Sequence, residues 1–97
     1  MKTTLFVFAT LYPKEQSIEK AKEILLSIVD DTRKEQGCIE FSVYQDLDDK
    51  KLYLYEEWEN EEALNSHHKY DYTIKAIEEI KEHLEKETTV IKMEKIK

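Results

Sequence analysis

The chain has 97 residues, too few for two independent hydrophobic cores, so we expect one domain over residues 1–97. Its formal net charge is −7 at pH 7, and its basic residues are spread along the chain. This charge argues against nucleic acids and anionic membranes as partners. No apolar run approaches the ~20 residues that span a bilayer. The single cysteine, Cys38, fits a reducing cytoplasm and excludes a framework of internal disulfides.

The first part of the chain predicts a strand followed by a helix. Residues 4–12 are apolar on both alternating faces, which is typical of a β-strand that is covered on both sides. Residues 17–35 carry apolar side chains at helical spacing, which predicts an amphipathic helix with Ser17 as its N-cap. Gly37 stands where a left-handed residue ends such a helix.

The rest of the chain predicts a hairpin, two helices and a last strand. Residues 38–58 alternate on either side of a polar turn, which is typical of a β-hairpin. Asn60 is a suitable N-cap for a short helix that ends near His68, and a further helix is expected over roughly residues 72–86. β-Branched residues from Thr88 onward predict the final strand. The order β-α-β-β-α-β predicts an α+β fold of the ferredoxin-like, split βαβ type with an antiparallel sheet.

This topology has a consequence for assembly. Its helices cover one face of the sheet, yet the first strand and the strand at residues 52–58 are apolar on both faces. A second copy of the chain, packed sheet against sheet, covers the other face most simply, so we expect a homodimer. The alternative is a monomer with an unusually aromatic exposed sheet, which would be prone to association.

Two adjacent histidines, His67 and His68, end the short helix. Helical geometry directs His67 toward the same side as Ala63 and Leu64, whereas His68 is rotated by about 90° and lies at the border of the buried side or in solvent. A zinc site needs three or four converging ligands, and only His83 remains as a further histidine, so we expect no metal. The residues leave two roles open for His67: a pocket residue that transfers a proton near neutral pH, or a structural histidine.

Glycine and aromatic content limit the chemistry further. The chain has one glycine, which excludes the glycine-rich phosphate-binding motifs of nucleotide cofactors. Its six tyrosines, three phenylalanines and one tryptophan belong mostly to the core and the expected interface. An apolar cavity with a few phenols and one histidine would suit a flat organic ligand.

Residues 35–67 resemble the signature of the antibiotic biosynthesis monooxygenase family, and the flanking segments match it in length and period. The matching positions are Glu35, Gly37, Cys38, Tyr44, Asp46, Glu56, Glu57, Trp58, Glu62, Ala63, Leu64 and His67. The resemblance implies a dimeric α+β barrel with a pocket between the sheet and the helices of each subunit. The family's activities include cofactor-free oxygenation of aromatic polyketides, quinol oxidation, haem degradation and isomerisation of a small phosphorylated signal.

Departures from the family pattern narrow these activities. The haem-degrading branch has an Asn, a Trp and a His at the positions of Ala9, His67 and Ile77, so the resemblance does not extend to haem as a substrate. The polyketide branch also has a Trp where His67 stands, and a second family histidine is Tyr72 here. The chain is most similar to the quinol-oxidising and small-substrate members.

The sequence therefore predicts a cofactor-independent monooxygenase or oxidase that acts on a small aromatic or quinol-type substrate. His67 is the expected general base. The expected substrate contacts are Trp58, Tyr44, Tyr72, Phe8 and Tyr55. The alternatives are an isomerase or a non-catalytic small-molecule binder on the same scaffold, or a purely structural dimer module.

Overall fold

The structure, a computed structural model, describes residues 4–97. Its elements are strand β1 (Leu5–Pro13), a 3₁₀ turn (Glu15–Ser17), helices α1 (Ile18–Leu26) and α2 (Val29–Arg33), strands β2 (Cys38–Gln45) and β3 (Leu52–Trp58), helices α3 (Glu61–His67) and α4 (Asp71–Lys81), and strand β4 (Leu84–Met93). The strands form one antiparallel sheet in the order β2-β3-β1-β4. The predicted ferredoxin-like α+β fold is confirmed. No helix of residues 4–97 is long and apolar enough to cross a membrane.

The helix predicted over residues 17–35 is interrupted. α1 ends at Leu26 and α2 begins at Val29. At the break, the Ser27 hydroxyl donates to the Ile24 carbonyl at 2.6 Å, and the Ile28 N–H donates to the Leu25 carbonyl, three residues back. A serine that bonds to the preceding turn competes with helical hydrogen bonding, so the chain tightens here. The apolar stripe nevertheless stays buried across the break.

The last helix is shorter than predicted and the last strand longer. α4 ends at Lys81 rather than near residue 86, and β4 begins at Leu84 rather than at Thr88. Leu84 pairs with Pro13 at the end of β1, and the Lys14 N–H donates to the His83 carbonyl at 2.8 Å. These backbone bonds to a distant strand override the local helical preference of this segment.

The register of the sheet divides it into two faces. The inner face lies against the helices and carries Val7, Ala9, Phe41 and Trp58, all of which are buried. The outer face points away from the helices and is defined by Phe6, Phe8, Tyr44, Tyr53, Tyr55 and Ile91. The rings of Phe8 and Tyr53 stack at 5.4 Å on this face, where Tyr44 is 53% exposed.

Candidate active site

A cavity of about 670 Å³ lies between the inner face and helices α1, α3 and α4. Its walls are mainly aliphatic: Val7 and Leu11 of β1 face Leu25 of α1 and Ile80 of α4. Strand β4 and the outer side of α4 form its mouth, where Ile77 and Val90 are about half exposed. The volume falls within the ~300–1,000 Å³ that is typical of small-molecule sites.

Helix α3 reaches this cavity because two local features hold its beginning. The Asn60 side chain accepts the Ala63 N–H at 2.9 Å, which confirms the predicted N-cap. Gly37 has a φ of +89°, and a Cβ at this position would lie 2.6 Å from the Ala63 Cβ. Its carbonyl also accepts the Glu59 N–H at 2.8 Å. Glycine therefore allows α3 to pack closely against the start of β2.

His67, at the end of α3, is 4% exposed, in agreement with the inward direction that its helical position predicted, and it lines the cavity. Its Nδ1 lies 2.9 Å from Oε2 and 3.1 Å from Oε1 of Glu35. Because a carboxylate can only accept, the proton of the neutral ring is on Nδ1 and the lone pair on Nε2. Nε2 has no hydrogen-bond partner in the described part of the chain. The imidazole is thus held from one side and free to accept a proton on the other.

Glu35 joins His67 to the tyrosine predicted to bind substrate. The Tyr72 hydroxyl donates to Oε2 of Glu35, the same oxygen that accepts from His67. Burial, together with this hydrogen bond, raises the pKa of Tyr72 well above its usual range. The phenol therefore stays protonated at neutral pH and helps to fix the carboxylate that orients the imidazole.

Trp58 and Phe41 pack against the His67 ring. The centroid of Trp58 lies 4.9 Å from that of His67, and the centroid of Phe41 lies at 5.7 Å. Trp58 is fully buried, and its indole Nε1 donates to Oε1 of Glu56 at 2.9 Å. Trp58 packs against the imidazole ring but does not line the cavity itself.

Glu56 is a buried carboxyl in the cavity wall, 6% exposed. Burial raises its pKa, and this effect exceeds the opposing effects of the Trp58 indole and of His67. No role was predicted for Glu56 or for Glu35. The signal for Glu56 was the alternation of β3, in which it shares the inward side with Leu54 and Trp58. The signal for Glu35 was its matching position in the family signature.

The other predicted substrate contacts lie elsewhere. Phe8, Tyr44 and Tyr55 are on the outer face, so the structure does not bring them into the cavity with His67. Of the five residues, Trp58 contacts His67 directly and Tyr72 reaches it through Glu35. The substrate contacts of all five residues stay predictions.

His68 is exposed but also lines the mouth of the cavity. Its ring centroid lies 5.4 Å from that of His67, so the two rings are neighbours. Partial burial of the ring lowers the pKa of His68, and the neighbouring His67 and Lys92 act in the same direction. Within residues 4–97 no group of three or more His, Cys, Asp or Glu side chains is placed to hold a metal ion.

Cys38 follows Gly37 at the start of β2, close to the carboxyl groups of the site. Its free thiol belongs to a partly buried residue. Burial of its thiol raises the pKa of Cys38 to about 11, and Glu35 and Glu56 act in the same direction. The thiol is therefore protonated at neutral pH and a poor nucleophile.

Comparison with known proteins identifies a family that this chain matches. The family model described as antibiotic biosynthesis monooxygenase matches residues 4–79. An uncharacterised Bacillus subtilis protein, YjcS, is 44% identical over 46 residues; the match covers 46% of this chain and 44% of that protein, so it spans less than half of the relative's length.

Solved structures resemble the fold over nearly the whole chain. A conserved protein from Methanosarcina mazei Go1 is 30% identical with a TM-score of 0.91, covering 96% of this chain and 93% of that one. Rv0793 from Mycobacterium tuberculosis is 21% identical with a TM-score of 0.94, covering 98% and 97% respectively, and at this identity it shows the fold alone.

Proposed function

Because the chain belongs to the antibiotic biosynthesis monooxygenase family, we propose that it oxidises a small electron-rich phenol or quinol with molecular oxygen and without a cofactor. One observation carries the proposal: a buried histidine, oriented by a carboxylate at Nδ1 and without a hydrogen-bond partner at Nε2 among the described residues, lines the wall of an apolar cavity. The family and the geometry support an oxygenase; the substrate class is our inference.

In this reaction the protein has to accept one proton from the substrate. Nε2 of His67 removes the hydroxyl proton of the substrate, and the resulting phenolate gives one electron to O₂. The substrate radical and superoxide combine at a ring carbon, and the peroxide loses water. For a hydroquinone the balance is hydroquinone plus O₂ to hydroxyquinone plus water. If the radical pair instead exchanges a second electron and a proton, the products are quinone and hydrogen peroxide.

Glu35 supports the base in this scheme. Its carboxylate accepts from Nδ1 at 2.9 Å and stabilises the imidazolium that forms when Nε2 takes the proton. The aliphatic walls exclude water from the phenolate, which strengthens these electrostatic interactions.

A second function, isomerisation, is supported by a separate observation. Glu56 and His67 both line the cavity and are both buried. Enolisation moves a proton between two atoms of the substrate and is helped by a base and an acid in the same site. An enzyme of this kind would consume no oxygen.

We also propose that the protein is a cytoplasmic homodimer that pairs through the outer face. The rings of Phe8, Tyr53 and Tyr55 and the 55% exposed Ile91 form a continuous apolar surface there. Light scattering should report a dimer for the wild type and a monomer for Ile91→Lys. Ile74→Lys, which places the same charge on a 42% exposed isoleucine of α4, should stay dimeric. A monomeric wild type would contradict this pairing.

Oxygen uptake tests the proposed reaction. The purified protein is given a panel of hydroquinones, catechols and naphthols, and labelled O₂ distinguishes oxygenation from oxidation to the quinone. We expect uptake well above the buffer rate with at least one compound. Uptake that stays at the buffer rate throughout would overturn the proposal, and a ligand-induced rise in Tm would then favour isomerisation or binding.

A further inference from the structure

Three polar side chains of the cavity wall are buried: Glu56, His67 and Thr73. The remaining polar residues of the wall are at the mouth and more exposed, including Lys81, Lys86 and Lys92. Buried polar groups need hydrogen-bond partners. In the proposed oxidation His67 takes the proton, whereas that reaction has so far given no role to Glu56 or Thr73.

Thr73 lies in the first turn of α4 and is 2% exposed. Its hydroxyl oxygen, Oγ1, has no hydrogen-bond partner among residues 4–97. A buried hydroxyl without a partner is destabilising unless a bound molecule supplies one. The cavity that Thr73 lines is where such a molecule would lie.

Glu56 is half-satisfied in a similar way. Its Oε1 accepts from the Trp58 indole at 2.9 Å, whereas Oε2 has no hydrogen-bond partner within the described part of the chain. The residue pairs with Val7 of β1 and Phe41 of β2, in the middle of the sheet. Its carboxyl group is therefore a polar point on an otherwise apolar cavity floor.

We propose that Glu56 and Thr73 form a second polar subsite that binds a second oxygen of the substrate, so that the preferred substrate is a dihydroxy aromatic compound rather than a monophenol. This inference rests on the proposed function, in which His67 takes the proton from the first hydroxyl. Glu56 is then a catalytic residue that touches the substrate.

The two groups suit an oxygen that changes from hydroxyl to carbonyl. The Thr73 hydroxyl can both donate and accept, so it can follow that change. A carboxyl group also donates when it is protonated, and burial raises the pKa of Glu56 toward that form. A monophenol would leave the Thr73 hydroxyl and Oε2 of Glu56 without a partner, and sites of this kind reject analogues that lack the polar group.

Anaerobic binding tests the subsite apart from any turnover. The probes are hydroquinone and catechol, each compared with its monomethyl ether, and the readout is the Kd from calorimetry. We expect the wild type to bind one diol about tenfold or more tightly than its ether. In Glu56→Gln and in Thr73→Val the ratio should fall to within about threefold.

Glu62→Gln is the matched control, because it removes one carboxylate from an exposed position of α3 outside the cavity. It should keep the wild-type ratio. Circular dichroism and the Tm identify a variant that fails to fold, and the other subsite variant then decides. An unchanged ratio in a folded Glu56→Gln or Thr73→Val protein would overturn the subsite, as would a wild type that binds neither diol.

The two proposals can fail separately. Oxygen uptake that depends on His67 but shows no preference for diols would overturn the subsite alone. A preference for diols in binding that is lost in Glu56→Gln, without oxygen uptake by the wild type, would support the subsite and overturn the oxygenase reaction.

Discussion

The two faces of the sheet are built from alternate residues of the same strands, yet their polar groups are arranged differently. On the outer face, the Tyr53 hydroxyl donates to Asp46 at 2.6 Å and that of Tyr55 to Glu57 at 2.9 Å. On the inner face, Glu56, which directly precedes Glu57 in the chain, is buried in the wall of the cavity.

This difference locates the chemistry. Glu56 and Glu57 are the same residue type, but only Glu56 of the two is buried. Burial raises the pKa of Glu56. Aromatic rings predominate on the outer face, whereas aliphatic side chains and the buried acid–base groups line the cavity. Aromatic content therefore indicates the expected interface in this protein better than it indicates the site.

Loss of the base on the inner side should have the largest effect. His67→Ala should lower oxygen turnover by ~10²-fold or more if His67 is the general base. Tyr53→Phe, which removes a hydroxyl from the outer face, should leave turnover near the wild-type value. Initial rates of oxygen uptake check both variants. Near-normal turnover in a folded His67→Ala protein would exclude His67 as the base.

The glycine that places α3 on the inner side should be the most sensitive to added volume. Gly37→Ala puts a Cβ 2.6 Å from the Ala63 Cβ at a φ of +89°. The left-handed conformation and the overlap together should lower the free energy of unfolding by roughly 2 kcal/mol or more. The control is the exposed neighbour Gln36: Gln36→Ala should change the free energy of unfolding by less than about 0.5 kcal/mol. Urea unfolding measures the stability of both variants. A Gly37→Ala protein as stable as Gln36→Ala would show that α3 can move away from the added Cβ at little cost.

Tyr72 can act on the site in two ways, and kinetics separates them. Tyr72→Phe keeps the ring and removes the hydrogen bond to Glu35. If Tyr72 acts through Glu35 and His67, kcat should fall by about tenfold and KM should hold, because a hydrogen bond to a charged group is worth ~1.5–3 kcal/mol. A rise in KM with constant kcat would instead indicate a substrate contact. Tyr70→Phe, in the neighbouring stacked ring, should change neither.

The pH dependence of the free energy of unfolding should distinguish Glu56 from Glu57. This is the smallest of the four predicted effects. The folded-state pKa of Glu56 is raised by burial, so the folded protein binds a proton that the unfolded chain has already lost. The contribution of Glu56 is therefore fully present below its unfolded pKa of ~4.3 and is lost as pH rises through the folded pKa.

Urea unfolding between pH 4 and 8 measures this effect as a difference from the wild type. Glu56→Gln should remove the fall in stability with pH, whereas Glu57→Gln should keep it. Parallel curves for the wild type and Glu56→Gln would show that this carboxyl ionises as easily as in the unfolded chain.

Local patterns in the sequence predicted much of the fold. The order of strands and helices, the cap at Asn60, the left-handed Gly37 and the inward direction of His67 are all present in the structure. Each depends on backbone geometry and apolar spacing over a few residues. The break at Ser27 and the early start of β4 were missed, because they depend on a side-chain hydrogen bond and on pairing with β1.

The sequence by itself determined that His67 points inward and that both faces of the sheet are apolar, because these follow from the periods of helix and strand. Only the tertiary structure decided what His67 meets. Its partner Glu35 is 32 residues away along the chain, and Tyr72 is 37 residues from Glu35. The cavity likewise exists only once β4 closes against β1 and α4 lies over the inner face. No period in the sequence reports such contacts, since they depend on how separate elements pack together.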